Sequence, residues 1–355
     1  GEGMPKPGTQ EILSTLEAVL EQFPDHPGAC HYYIHAVEAS RDPQRALACA
    51  DRLPALMPGA GHLVHMPAHI YLRLGMYHRS SERNADAARA DEQYLAGAHL
   101  AGEYADGYYS HNLHFLWSSL MMEGRSAEAL KAAASLVSTI TDEKAKMNRS
   151  KEVYLTTKLL TWIRFGQWEN LLREQPPSKG LHLVEGIWRL GRGMALVATG
   201  RLPGAEGERQ ALVTLTKQFR RSKNQHDKLE RDLLKIAERL LAGQIAVQRR
   251  RHEEAIKTFR EALKIEASLQ GAEPPHWALP VRHYLGPVLL LAGRASEAEA
   301  EYRADLKWYP DNGWALFGLL QSLKAQRKDA DAADVSARFE KAWVHADVAL
   351  VASRF

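Results

Sequence analysis

Only 2 cysteines, Cys30 and Cys49, occur in this 355-residue chain. That scarcity excludes a disulfide framework and a cysteine-built zinc module. Two small buried thiols, able to meet across one hairpin, are the expectation. The formal charge of +3 is too small to imply a nucleic-acid partner. The basic runs Arg220-Arg221-Ser222-Lys223 and Arg249-Arg250-Arg251 have acids nearby and read as solvated helix faces. No apolar stretch approaches the roughly 18–20 residues that a membrane helix needs. The expected protein is therefore soluble, cytoplasmic or periplasmic, with no visible signal peptide. No Ser-His-Asp spacing, phosphate loop or dinucleotide fingerprint is present.

The chain does have histidine, 16 residues of it, and a repeating organisation. Markers can be placed at small or polar residues followed five positions later by a small or apolar one. The pairs are Arg41/Ala46, Gly75/Ser80, Gly124/Ala129, Gly166/Leu171, Gly200/Ala205, Arg250/Ala255, Gly293/Ala298 and Arg327/Ala332. Their separations are 34, 49, 42, 34, 50, 43 and 34 residues. Such a period is the mark of a helical-hairpin array, in which each unit packs only on its neighbours. Length alone would otherwise suggest two or so domains. Residues 9–23 read as a second helix without its first, with Ile12, Leu13, Leu16, Val19 and Leu20 as its stripe and Pro24 ending it. A solenoid end normally carries a polar cap. The expectation here is a truncated or processed N-terminus, or a partner covering it.

Several segments resemble the tetratricopeptide repeat family. They are Leu74-Gly75-Met76-Tyr77, Gly124 to Leu130, His252 to Ile256 with Phe259 and Ala262, and Gly293 to Ala298. Pro24-Asp25 and Pro310-Asp311-Asn312 match the family's inter-repeat turn. The resemblance implies an all-α solenoid, a right-handed superhelix of about eight helical hairpins whose first helices line the concave side. It implies three regions: an orphan helix in 1–26, histidine-rich repeats in 27–145, and further repeats in 146–355. In the family, positions six, ten and thirteen before the marker usually contact ligands. The runs His26 to His35 and Gly61 to His69 also resemble motifs of an uncharacterised bacterial group of such repeat proteins, which brings no assigned reaction.

The histidines fall on those positions. His69, His65 and His62 lie six, ten and thirteen residues before Gly75; His114 and His111 lie ten and thirteen before Gly124. His35 and His31 lie six and ten before Arg41, with Glu38 three before it. Chance would place roughly half a histidine on the twelve positions that these offsets make in three hairpins, and seven are there. Steps of three and four keep side chains on one helix face. Seven imidazoles on adjacent faces repel if protonated and lack partners if buried neutral, whereas a cation uses their lone pairs. The expected ligands are thus His31, His35, Glu38, His62, His65, His69, His111 and His114. Such a set suits one or two transition-metal ions, copper or iron first and zinc next, because magnesium and calcium want oxygen ligands.

Pro67 must kink or start a helix between His65 and His69. Tyr32, Tyr71, Tyr108 and Arg73 lie near these faces and are expected to orient ligands or hold a substrate. His283 lies ten before Gly293, within an unusual Pro274 to His283 segment. If the superhelix completes a turn, Arg282, His283 and Trp314 would face the ladder and help enclose a ligand. The expected function is a metal-dependent enzyme acting on a small molecule or peptide in the concave groove. It would be an oxidoreductase with copper or iron, or a hydrolase with zinc and Glu38 as general base. The alternatives are a non-catalytic scaffold for a peptide or protein partner, the common use of this fold, and metal storage or delivery.

Overall fold

A computed structural model describes residues 5–98, 104–219, 224–269 and 271–355. The basic run at 220–223 lies outside the described residues. The helix read over residues 9–23 is α1 (Thr9–Gln22), and eight hairpins follow it among the described residues. The first pairs α2 (Pro27–Glu38) with α3 (Leu47–Leu56). In the second, α4 (Gly61–His65) and α5 (Pro67–Arg73) run back to back and α6 (Tyr77–Ala98) returns. A π turn, Ala105–Tyr109, leads into α7 (Ser110–Glu123), which pairs with α8 (Ser126–Thr139). After the short α9 (Asp142–Met147), α10 (Glu152–Leu155) and α11 (Thr157–Arg164) pair with α12 (Trp168–Arg173). The remaining hairpins are α13 (His182–Ala198) with α14 (Leu202–Lys217), and α15 (Gln225–Gln248) with α16 (His252–Ala267). Then come α17 (Arg282–Leu291) with α18 (Ala295–Trp308), and α19 (Gly313–Ala325) with α20 (Asp329–Ala342). The chain is an all-α, tetratricopeptide-like solenoid.

The repeat markers have a backbone reason. Gly75, Gly124, Gly166, Gly200, Arg250, Gly293 and Arg327 all adopt positive φ, between 57° and 74°. Each ends a first helix in the left-handed conformation that lets the next amides return to the last turn. Met76 N–H thus donates to the Tyr71 carbonyl at 2.8 Å, and Arg125 N–H to that of Leu120 at 3.1 Å. Arg41, in a longer turn that leads into a 3-10 turn at Pro43–Ala46, is not among the positive-φ residues.

Pro67 starts α5 instead of kinking a continuous helix, and Met66 before it keeps helical dihedrals (φ −49°, ψ −37°). The proline therefore interrupts hydrogen bonding without turning the chain aside. Cys30 and Cys49 meet as expected, Sγ to Sγ 2.9 Å, fully buried between α2 and α3.

The apolar core is not continuous. One cluster joins Leu13 through Tyr71 in the first hairpins, and a larger one runs from Trp117 to Val335. Between them lies a buried polar layer on α6 and α7: Ser80, Asn84, Asp91, Ser110, Asn112 and Ser119. Buried polar groups persist mostly when bonded, and each of these residues makes at least one side-chain hydrogen bond, although Asn112 Oδ1 has no partner. Asn112 donates to Asp91 at 2.7 Å, and Ser80 and Ser119 share a hydrogen bond of 2.8 Å.

The two halves of the solenoid touch. Gly75 leaves no room for a Cβ against the Pro310 carbonyl, nor Gly124 against the Trp343 ring. The segment after α20 returns to α8, where the Asp347 carboxylate accepts from Ser126 N–H at 2.7 Å and Ala127 N–H at 2.9 Å. An acidic group on free helix-start amides is a stabilising cap. His345 stacks on His78, centroids 3.8 Å apart, and Phe355 packs against Trp314. These contacts bring the loop at 271–277 up to the histidine-rich hairpins.

Candidate metal centre

Helix α2 places His31 and His35 one turn apart, with ring centroids 4.9 Å from each other. From α4, His62 meets them: its Nε2 lies 3.1 Å from that of His31. His65 ends α4 and His69 sits in α5, their Nε2 atoms also 3.1 Å apart. His111, from α7, brings its ring centroid to 4.8 Å from His65 and 5.8 Å from His69. Ligand atoms lie within 4.8 Å of one another in three groups: His31, His35 and His62; His65, His69 and His111; Glu38, His69 and Glu273. His69 belongs to the last two. Seven of the eight expected ligands thus gather in one contiguous band.

Hydrogen bonding on the far side of each ring decides which nitrogen is free. Asn84 donates through Nδ2 to the Ser80 carbonyl at 2.7 Å, which orients its Oδ1 as acceptor for His65 Nδ1, 2.6 Å away. His69 Nδ1 donates to Glu273 Oε2 at 2.9 Å, and Glu38 Oε2 lies 3.0 Å away. One N–H cannot serve both carboxylates, and Glu38 Oε2 is left buried without a hydrogen bond. With Nδ1 of His65 and His69 committed to Asn84 and Glu273, the two facing Nε2 atoms are the ones left to meet an ion, once His69 gives up the second proton that its carboxylates favour. A histidine ligand held by a carboxylate or amide behind it is the standard construction of a metal site.

The electrostatics follow burial and neighbours. Burial and the charge of His31 and its neighbours push His62 down to about 4. Burial and the neighbouring His69 push His111 down to about 4, and burial holds His65 well below the ordinary value. His31 is lowered by burial and by His35. His69 moves the other way, to about 9: burial opposes its charge, but the Glu273 and Glu38 carboxylates more than compensate. Burial would raise Glu38, yet His35 and His69 hold it at about 2. Burial thus favours neutral imidazole at His31, His62, His65 and His111, while the Glu38 and Glu273 carboxylates both lie against His69.

Beside His62 and His111 opens a cavity of about 630 Å³ whose wall includes Tyr104, Tyr108 and Tyr154. Tyr108 comes from the π turn and lies on the His62 ring at 4.7 Å. Tyr32 is exposed and stacks on His31 at 5.0 Å. Glu38 Oε1 is engaged with His35 Nδ1 at 3.3 Å and its Oε2 lies 3.0 Å from His69 Nδ1, so the expected general base sits between two imidazoles and hydrogen-bonds the first.

The remaining expected residues lie elsewhere. His114 is buried away from the three groups, stacked on Trp117 at 5.5 Å and edge-on to Tyr154, with burial lowering it to about 3. Tyr71 donates to Asp51 at 2.6 Å and accepts from Arg79 at 2.8 Å, on the side of α5 away from the ladder. His283 is fully buried between Arg164 (3.0 Å) and Asp305 (3.0 Å). Trp314 is fully buried, beneath the Arg164 guanidinium, and its indole N–H donates to the Met121 carbonyl at 3.0 Å. Both are fully buried in the contact between the halves. Arg73 and Arg282 share a second cavity, between the two halves.

Two residues of the band, Asn84 and Glu273, escape sequence reasoning. Asn84 has a signal, since α6 buries Ser80, Asn84 and Asp91 at helical spacing where apolar residues would be expected. Glu273 has none of its own, because it is 204 residues from His69 in the chain.

No family model and no curated protein matches this chain. Among solved structures it is similar to a chain of the "Crystal structure of APC/C hetero-tetramer Cut9-Hcn1", at 11% identity over 94% of this chain and 90% of that one, with a TM-score of 0.28.

Proposed function

We propose that the histidine band is a transition-metal centre and that the protein performs metal-dependent chemistry at its tyrosine-lined mouth. The observation that carries this is the pair of Nε2–Nε2 separations of 3.1 Å, His31 to His62 and His65 to His69, with Nδ1 of His65 and His69 already committed behind. Two nitrogens bound to one ion at about 2.0–2.1 Å stand roughly 3 Å apart. His35 and His111 complete three-imidazole sets that would hold one or two ions, with Glu38 and Glu273 orienting the rings. Imidazole-rich sets suit copper or iron, and zinc next. Copper or iron would supply oxygen-dependent oxidation and zinc hydrolysis, acting on a small molecule or peptide admitted past Tyr108.

A second reading, a scaffold for a protein partner, has the solenoid architecture in its favour. The two separate on titration of chelator-stripped protein with copper, iron and zinc. Uptake of one or two equivalents by the wild type, reduced by one or abolished in the His65→Ala/His69→Ala variant, supports the metal centre. Equal uptake by both proteins removes these residues from it, and no uptake leaves the scaffold.

A further inference from the structure

Between the two halves lies a cavity of about 650 Å³, within the roughly 300–1,000 Å³ usual for small-molecule sites. Its walls come from the α2–α3 turn, the end of α5, the end of α16, the loop at 271–277 and the end of α18. Leu263, Leu269, Trp277 and Trp308 give it an apolar body. Such a mixture of apolar wall and a few polar groups is what fixes a ligand's orientation.

The charges in the wall are mostly spoken for. Arg282 is paired with Glu301, and Asp305 with His283 and Asn312. Glu273 is engaged by His69. Glu266 accepts from Val281 N–H at 3.2 Å, and burial pushes its carboxyl up to about 8, so it presents little negative charge at neutral pH. Arg73 is different. Its guanidinium makes one long hydrogen bond, 3.4 Å to the Ser40 carbonyl, and its Nε is buried without a partner. Glu273 Oε1, 3.8 Å from that nitrogen, forms a loose ion pair with it but no hydrogen bond, so the guanidinium's donors stay largely unused. A guanidinium offers five donors suited to a planar carboxylate.

We propose that this cavity binds a small organic acid with an apolar body, its carboxylate held by Arg73 and its body against Trp277 and Trp308. The site goes beyond the metal centre and does not require it, although Glu273 forms part of both walls. A ligand here would lie on the far side of Glu273 from His69.

The test uses calorimetric titration of the metal-stripped, full-length protein with phenylacetate, and with phenethylamine as a cation of the same shape. Phenylacetate should bind, phenethylamine should not, and Arg73→Gln should weaken phenylacetate about tenfold or more. Arg73→Lys, which keeps the charge but not the fork, should fall between them, and circular dichroism should show all three proteins folded. Equal binding of the amine, unchanged affinity in the glutamine variant, or no phenylacetate binding would overturn the proposal. Metal uptake measured on the same variants separates the two readings. Arg73→Gln should leave it intact, and failure of metal uptake with Arg73-dependent anion binding would sink the metal centre alone.

Discussion

The first three hairpins and the next three present the same repeat positions with opposite chemistry. Six and ten residues before their markers, the early hairpins carry His31, His35, His65, His69 and His114. At the same offsets the later ones carry Thr156, Leu160, Leu190, Met194, Leu240 and Gln244, all buried. In the later hairpins four of these, Leu160, Leu190, Met194 and Leu240, continue the large apolar core, which needs no partner beyond close packing. In the early ones the apolar core is interrupted, and a polar layer on α6 and α7 supports the imidazoles from behind. A solenoid whose units share a backbone plan can therefore open its core at one place for polar chemistry. The cost of burying those groups is met by local hydrogen bonds and, at a metal centre, by the cation.

The comparison is broken most severely by removing the paired imidazoles. His65→Ala/His69→Ala should lose the ions held by the second histidine group, read by elemental analysis, while helical content by circular dichroism persists. Trp314→Ala attacks the other region. It should cost about 3–5 kcal/mol in denaturant unfolding and leave metal stoichiometry unchanged in the folded protein. Glu273→Ala should keep the fold and lower metal affinity about 10–100-fold, as loss of a carboxylate behind a ligating histidine does. The smallest and sharpest contrast lies within α7. His111→Ala should weaken metal binding, whereas His114→Ala should cost about 0.5–3 kcal/mol of stability with metal binding intact.

Much of the fold was legible because the markers report a backbone event. Seven of the eight positions chosen on residue type alone proved to be left-handed helix ends, and Pro67 starts a helix at the place expected. The histidine positions were legible because helical spacing and repeat register together fix a face. His114 shows the limit. A three-residue step stops roughly 60° short of a full helical turn, enough for His114 to lean on Trp117 and Tyr154 while His111 reaches His65. His283 and Trp314 were expected opposite the ladder and do lie in the half that meets it. Their side chains turn into the Arg164–Asp305 network and the core, where both are fully buried. It is Glu273 that reaches across. No local pattern encodes that contact, since it depends on how far the superhelix has turned after two hundred residues.

The most direct measurement is the anomalous difference map of crystals grown with the ion that the protein takes up, recorded at that element's absorption edge. A metal centre in the histidine band predicts a peak at about 2.0–2.1 Å from Nε2 of both His65 and His69. A protein that carries its ion elsewhere, with no peak between those two nitrogens, would contradict it.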